Sequence, residues 1–190
     1  GAGPTGGWHL TVYFTADELL FAGATTAVTG CLVTTCDAPG DPTNDLGSYP
    51  QGFVDTVQAE GTGAIASGAF AGQYLNWSGS VPGSGYWLDT APRNAEGTAL
   101  VPYVSAAAHP TVPFGASFAL VDCGVDSATS APMDAAACAD LRAGQWEVRD
   151  RFEADVDVRR LDLYIGLQTE LDMDLDPHFV DQVDAVTTLP

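Results

Sequence analysis

The chain has 190 residues, of which 46% are hydrophobic and 16% charged, a balance typical of a folded globular protein and not of a disordered chain. The formal net charge is -19, and all six basic residues are arginine. Because nucleic acid and anionic lipid bind to clustered lysine or arginine, this charge excludes both as expected partners and leaves neutral glycans, peptides and cations.

The 21 glycines and 12 prolines are scattered along the chain, which predicts many short strands joined by turns and not long helices. Residues 8–17 alternate β-branched and aromatic side chains, so they form the first predicted strand. Residues 18–28 are ambiguous, and residues 31–50 are predicted to be a loop. Residues 53–59 fit either a short helix or a strand.

The segment at residues 73–87 is rich in tyrosine and tryptophan among glycine, serine and proline. Aromatic rings on loops can stack on sugar rings, which makes Trp77, Tyr86 and Trp87 candidates for glycan binding. The same rings can instead fill a small core, and the sequence leaves both interpretations open.

The second half of the chain continues the pattern of short strands. Further predicted strands lie at 100–107, 117–123, 146–152 and 158–165, with a short helix at 135–142. The sequence shows no repeat and no linker, so we expect one domain over residues 1–190. The all-β class is therefore the expected fold.

The end of the chain is acidic, and Asp172, Asp174 and Asp176 alternate like the start of a calcium loop. Pro177 stands where such a loop requires glycine, and no bidentate glutamate follows at the right distance. We therefore expect residues 167–190 to be an acidic extension, and the chain to hold no metal and no cofactor.

Four cysteines form two local pairs, Cys31 with Cys36 and Cys123 with Cys138. Four cysteines allow three connectivities, and we favour the local one because each pair flanks a loop. Disulfides form in oxidising compartments, so we expect secretion or the exterior of a bacterial cell envelope. No apolar run is long enough to span a membrane, and we expect a monomer.

Three segments carry a family resemblance. Arg160-Leu161-Asp162-Leu163-Tyr164 matches the motif R-I-D-L-Y, and Pro110, Pro113 and Gly115 match the pattern A-V-D-P-x-x-I-P-x-G. Asp150 falls at the first position of D-T-G-G-A-I. In this order and spacing, together with the aromatic first strand and the Glu60-Gly61-Thr62-Gly63 segment, the chain resembles the 3D domain of MltA-type lytic transglycosylases and resuscitation-type cell-wall proteins.

The resemblance implies a six-stranded double-psi β-barrel that binds a glycan, with peptidoglycan as the expected substrate. Residues 8–17 and 60–166 would form the barrel core, and residues 18–59 would be a disulfide-pinned insertion. It also implies that Asp162 is the catalytic acid and base, with Asp150 as a supporting acid or a structural cap. The residues expected to bind the substrate are Tyr13, Thr15, Glu60, Thr62, Trp77, Tyr86, Trp87 and His109.

Chemistry supports the role of Asp162 in this family. A buried carboxylic acid can protonate a glycosidic oxygen, and a lytic transglycosylase needs no second carboxylate because the substrate's own hydroxyl attacks. Asp162 could also be a solvated residue, or an ion-pair partner of Arg159 or Arg160.

The chain departs from the family pattern at two places. His109 replaces the first aspartate and could hydrogen-bond Asp162 in its stead, whereas Arg151-Phe152-Glu153 replaces the small T-G-G. These changes favour an alternative function, a non-catalytic barrel that binds cell-wall glycan or inhibits a protease. A Ser-His-Asp hydrolase is disfavoured because no Gly-x-Ser-x-Gly elbow is present.

Overall fold

A computed structural model describes residues 3–33, 42–152 and 157–189. The chain divides into two compact units. Unit 1 comprises Gly1–Tyr13, Val101–Gly166 and Asp172–Pro190, and unit 2 comprises Phe14–Leu100 and Leu167–Leu171. Most of the ordered elements in both units are strands, which confirms the expected β class.

The strands in chain order are β1 (Thr5–Asp17), β2 (Thr25–Gly30), β3 (Asn44–Pro50), β4 (Thr62–Ala64), β5 (Tyr74–Trp77), β6 (Tyr86–Asp89), β7 (Ser105–Ala108), β8 (Ser117–Phe118), β9 (Leu120–Asp122), β10 (Val125–Asp126), β11 (Trp146–Arg151), β12 (Arg160–Leu167) and β13 (Asp181–Thr187). The described residues also form α1 (Gln51–Glu60), α2 (Ala135–Ala143) and short 3₁₀ helices at Glu18–Leu20, Gly68–Phe70 and Met173–Leu175.

Unit 1 is built on a sheet in which β1, β12, β7, β11 and β8 are successive neighbours. The central strand β7 is antiparallel to β12 and parallel to β11. Strand β13 pairs antiparallel with β1 and also with β9 and β10. The core lies on one face of this sheet, where β1 contributes Leu10 and Val12 and β12 contributes Leu161 and Leu163.

Helix α2 covers the core of unit 1 and begins at a capping aspartate. Asp134 Oδ1 accepts hydrogen bonds from the backbone N–H groups of Ala136 and Ala137 at 3.0 and 2.9 Å, which satisfies donors that the first turn leaves free. A disulfide joins Cys138 on this helix to Cys123, and it confirms the second local pair. The first pair includes Cys36, which lies outside the described residues.

Unit 2 combines the end of β1 with a small sheet, a hairpin and a helix. Strand β4 pairs parallel with the last residues of β1 and antiparallel with β5, which pairs with β6, whereas β2 and β3 form a separate hairpin. Helix α1 buries Phe53, Val54 and Val57 and ends at Gly61, whose φ of 90° closes the last turn. A Cβ at Gly63 would lie 2.3 Å from Val57, so only glycine lets α1 approach β4 this closely.

Two predicted segments are wrong in detail. Residues 31–50 include β3, because the alternating burial of Leu46 and Tyr49 packs this stretch against the core of unit 2. The acidic extension at 167–190 includes β13, whose exposed aspartates alternate with buried Gln182 and Ala185. The strand order of the described residues does not close on itself, so the six-stranded double-psi barrel stays a prediction.

No helix among the described residues is long and apolar enough to cross a membrane.

Replacing both Cys123 and Cys138 by serine should lower the free energy of unfolding by about 3 kcal/mol, because the bridge constrains the unfolded chain across a sequence separation of 15 residues. Denaturant unfolding of the variant and the wild type measures this difference. Ala139→Ser, an exposed change in the same helix, is the control. A loss no larger than that of the control would contradict the stabilising role.

Candidate functional site

One face of the unit 1 sheet is polar, opposite the core. Side chains along a strand alternate between the faces, so Asp162 points away from the core face that holds Leu161 and Leu163. Asp162 also lies directly opposite Ala107 of β7, which in turn lies opposite Asp150 of β11, and paired residues share a face. We call the following set the polar face: Thr11, Tyr13, Ala107, Asp150, Arg160, Asp162 and Tyr164.

Asp162 is half-buried on this face and hydrogen-bonded to β1. The Thr11 hydroxyl donates to Asp162 Oδ1 at 2.9 Å, and Arg160 Nη2 lies 3.4 Å from the same hydroxyl oxygen. Among the described residues, neither Arg159 nor Arg160 forms an ion pair with Asp162; Arg159 donates to the Gly6 carbonyl at 2.7 Å. Asp162 is therefore partly shielded from solvent, and Arg160 acts on it through its charge without a direct ion pair among the described residues.

The environment of Asp162 raises its pKa to about 6 from an ordinary value of 3.8. Burial is the largest cause, because it disfavours the charged carboxylate, and the negative charge of Asp150 acts in the same direction. The Thr11 hydrogen bond and the positive charges of Arg160 and His9 lower the pKa without cancelling the effect of burial. Asp162 can therefore carry a proton in mildly acidic solution.

Asp150 is the second carboxyl of the polar face. It is separated from Asp162 by two strand spacings, so their Cα atoms lie about 10 Å apart, with the small side chain of Ala107 between them. Its Oδ1 accepts a hydrogen bond from the Arg151 backbone N–H at 2.8 Å. Asp150 thus acts on Asp162 through its charge, and the methyl group of Ala107 lies between the two carboxyls.

Tyr13 is a buried ionisable group near these carboxyls, with 7% of its surface exposed. Its ring packs on Tyr164, with centroids 5.2 Å apart, and its hydroxyl has no hydrogen-bond partner among the described residues. Burial raises the pKa of Tyr13 well above its ordinary value of 10.0, and the charges of Asp150 and Asp162 raise it further. The phenol therefore remains a proton-bearing donor.

His109 is not a partner of Asp162. Its Nδ1 accepts a hydrogen bond from the Thr111 backbone N–H at 3.1 Å and lies 2.8 Å from the Thr111 hydroxyl, within a turn that ends strand β7. Among the described residues, Asp162 receives its side-chain hydrogen bond from Thr11 and the His109 ring contacts Thr111, so the predicted hydrogen bond between His109 and Asp162 is wrong. A role of His109 in substrate binding stays a prediction.

The segment that replaces T-G-G is only partly described, because Glu153 lies outside the described residues. The Arg160 guanidinium stacks over the Phe152 ring at 5.1 Å, and Arg151 stacks over Phe114 at 5.3 Å. Phe152 therefore helps to position Arg160 at the end of the polar face.

Three further predicted binding residues come together in unit 2. The hydroxyls of Thr15 and Thr62 lie 2.8 Å apart and are buried, and Glu60 Oε2 accepts from the Phe14 backbone N–H at 3.4 Å. These contacts connect the end of β1 to the segment after α1. Their role in binding a substrate stays a prediction.

Two of the aromatic residues predicted to bind glycan belong to the core. Trp87 has an exposed fraction of 0%, which leaves no face for a sugar, and Tyr86 is buried with its hydroxyl donating to the Val54 carbonyl at 3.3 Å. Their predicted binding role is wrong, because these rings fill the interior of unit 2. Trp77 is half-buried and donates its N–H to the Ser84 carbonyl at 3.1 Å.

The alternating aspartates near the chain end form turns. Asp172 accepts from the Asp174 backbone N–H at 3.1 Å, and buried Asp176 accepts from both the backbone and the ring of His178 at 2.9 Å. Among residues 3–33, 42–152 and 157–189, no cluster of His, Cys, Asp and Glu could hold a metal ion.

Thr11 and Arg160 are the functional candidates that sequence reasoning missed. Thr11 lies two residues before Tyr13, so the alternation of β1 places both on one face. Arg160 lies two residues before Asp162 on β12 and shares its face for the same reason. Period-two spacing was the available signal in both cases.

The fold of the chain is shared with a solved structure. Escherichia coli MltA with bound chitohexaose matches with a TM-score of 0.59 at 10% identity, covering 96% of this chain and 71% of that chain. The chain has an MltA-like fold. No protein-family model and no curated protein sequence matches it.

Two other lytic transglycosylase structures also align with this chain. LtgG of Burkholderia pseudomallei aligns with a TM-score of 0.48 at 14% identity, over 98% of this chain and 72% of that chain. A second structure of Escherichia coli MltA aligns with a TM-score of 0.46 at 13% identity, over 97% and 73%. The assignment of the MltA-like fold rests on the chitohexaose-bound structure alone.

Asp162→Asn should stabilise the protein by about 2 kcal/mol at about pH 7.5 and have little effect at about pH 4. The folded-state pKa of about 6 exceeds the ordinary 3.8, so the folded protein holds this proton more tightly than the unfolded chain. Wild-type stability contributed by Asp162 therefore falls as the pH rises from about 4 to about 6. Denaturant unfolding at the two pH values tests this, and an equal effect at both would contradict it.

Proposed function

We propose that this chain cleaves the glycan strands of peptidoglycan, with Asp162 acting alone as acid and then as base in the manner of a lytic transglycosylase. The observation that carries the proposal is the half-buried Asp162 carboxyl, whose pKa of about 6 lets it hold a proton in mildly acidic solution. The MltA-like fold supports it, and the Escherichia coli structure that shares this fold contains a bound oligosaccharide, chitohexaose.

In the first step, protonated Asp162 gives its proton to the glycosidic oxygen as the bond between that oxygen and the anomeric carbon breaks. In the second step, the Asp162 carboxylate removes a proton from a hydroxyl of the same sugar, whose oxygen bonds to the anomeric carbon. Asp162 thus returns to its protonated form, and no water is consumed.

Neighbouring residues prepare Asp162 for both steps. The Thr11 hydroxyl, donating at 2.9 Å, holds the carboxyl in place and stabilises the carboxylate formed after the first step. The charge of Asp150 disfavours that carboxylate, so it helps to keep Asp162 protonated before the substrate reacts. Asp150 is therefore a positioning and electrostatic residue in this proposal.

The proposal also includes the finer fold and setting of the family that the motifs resemble. The core of the chain would be a double-psi β-barrel, and the protein would act as a monomer outside the bacterial cell membrane. The Cys123–Cys138 bridge supports this location, because disulfides persist in oxidising surroundings.

Asp162→Asn should reduce the release of soluble muropeptides from purified cell walls by about a hundredfold or more, because general acid catalysis commonly contributes that much. Asp184→Asn is the matched control: Asp184 is exposed, and its φ of 59° is a conformation that asparagine adopts readily. The control should retain wild-type activity.

Four outcomes would count against this mechanism or narrow it. Wild-type protein that releases no muropeptides, or an Asp162→Asn variant that releases as many, contradicts the catalytic role. Binding to cell walls without release, unaffected by Asp162→Asn, would instead indicate the non-catalytic glycan-binding function. Products that have gained a water would indicate hydrolysis, in which Asp150 activates water as the second carboxylate.

The rate of muropeptide release should fall about tenfold per pH unit above about pH 6, because the reaction starts from protonated Asp162. Release measured between about pH 5 and about pH 8, with wall integrity checked at each pH, gives the profile. A rate that rises over this interval would show that the essential group must begin as a carboxylate.

A further inference from the structure

A small pocket lies in unit 1 between helix α2 and the chain around the Cys123–Cys138 bridge. Its volume is about 260 Å³, below the roughly 300–1,000 Å³ of pockets that hold drug-sized ligands, so it suits a molecule of only a few heavy atoms. None of its described lining residues belongs to the polar face. Asp122, Ala139 and Arg142 line it and are exposed, so a solute reaches the pocket directly from solvent.

Arg142, in the last turn of α2, gives the pocket a positive charge. It forms no hydrogen bond or ion pair with another described residue. The other five arginines each donate a hydrogen bond, either to the side chain of Asp89, Glu147 or Thr11 or to a backbone carbonyl. The planar guanidinium of Arg142 is therefore available to a ligand, and the group that matches its donors best is a carboxylate or a phosphate.

Asp122 gives the same pocket a negative charge. Its Oδ1 accepts a hydrogen bond from the Gly124 backbone N–H at 2.8 Å, which orients the carboxylate, and its Oδ2 has no partner among the described residues. Asp122 and Arg142 form no ion pair with each other, although both line the pocket. A ligand between them can therefore contact both charges.

The two charges together restrict the class of ligand. Asp122 and the net charge of -19 repel a purely anionic ligand such as phosphate, and Arg142 repels a purely cationic one. A zwitterion avoids both penalties, because its ammonium can pair with Asp122 while its carboxylate accepts charge-assisted hydrogen bonds from Arg142. An α-amino acid has both groups on one carbon atom, which suits so small a volume.

The remainder of the pocket wall is largely apolar. Pro132, Met133 and Cys138 line it, and the last two pack against the core of unit 1. Thioether and disulfide sulfurs are soft, apolar surfaces that contact a methyl group favourably. The bridge to Cys123 also ties α2 to the chain after β9, so both walls are held in place before a ligand binds.

We propose that this pocket binds a small α-amino acid with a short apolar side chain, whose carboxylate pairs with Arg142 and whose ammonium pairs with Asp122. The side chain of the ligand contacts Met133 and the Cys123–Cys138 bridge. This second site is separate from the polar face, and it does not depend on the proposed cleavage of glycan.

The test is a titration of the full chain, followed by two-dimensional NMR. The probes are the two enantiomers of alanine, propionate, which lacks the ammonium, and ethylamine, which lacks the carboxylate. At least one enantiomer should bind with a dissociation constant of about 1 mM, the range expected for a ligand of so few atoms, and shift the signals of residues around the pocket. Propionate and ethylamine should bind at least about tenfold more weakly, because each loses one charged contact.

Two variants assign the two charges. Arg142→Gln should weaken alanine binding about tenfold or more, whereas Arg149→Gln, which changes the net charge equally at the exposed ion pair with Glu147, should not. Asp122→Asn keeps the oxygen that accepts from Gly124 and should weaken alanine binding by a similar factor without weakening propionate binding. Asp162→Asn should bind alanine as the wild type does, since the two sites are separate.

This pattern of charge-specific losses, with shifted signals around the pocket, supports the inference. Absence of alanine binding at about 20 mM overturns it, and so does equal binding of alanine and propionate. Unchanged alanine affinity in Arg142→Gln or in Asp122→Asn also overturns it. None of these outcomes bears on glycan cleavage, which the release of muropeptides tests independently.

Discussion

The packing of strand β12 is the constraint on which the candidate site depends. Leu161 and Leu163 are buried in the core of unit 1, and this fixes the side chain between them on the opposite face. Asp162 cannot leave its half-buried position without disturbing these two core residues. Its carboxyl therefore stays where solvation of the charged form is poor, and from this its elevated pKa follows.

The site is a balance of opposing effects on one proton. Burial and Asp150 favour the protonated acid, while Thr11, Arg160 and His9 favour the carboxylate. A pKa near the working pH is what a group needs if it must both give and take a proton in one cycle.

The likeness to MltA at 10% identity shows how little of the sequence a fold requires. Strand β7 illustrates the requirement: its residues are serine and alanine, all buried, and their small size lets β11 and β12 approach from both sides. Many sequences can form a strand of this kind. The proposed function depends on the carboxyls that this arrangement places on either side of Ala107, because a fold by itself does not determine an activity.

Most of the short strands and the Cys123–Cys138 pair could be predicted, because they depend on local alternation and spacing. The position of Asp162 on a strand between two core residues could be predicted for the same reason. Strand β13 could not, since its aspartates suggested a solvated segment and only its pairing with β1 makes it part of the sheet. The contacts of His109 could not be predicted either. Its ring accepts a hydrogen bond from Thr111, while Thr11 on another strand donates to Asp162.

The sequence by itself determined which residues alternate along β1 and β12, and thus that Thr11, Tyr13 and Asp162 can each face away from a core. Only the tertiary structure decided that these faces adjoin, that Asp150 lies one strand beyond Ala107, and that Trp87 is buried. The physical reason is that periodicity is a property of neighbouring residues, whereas burial and pairing arise between segments far apart in the chain. The pKa of Asp162 belongs to the second kind, and so does the chemistry proposed for it.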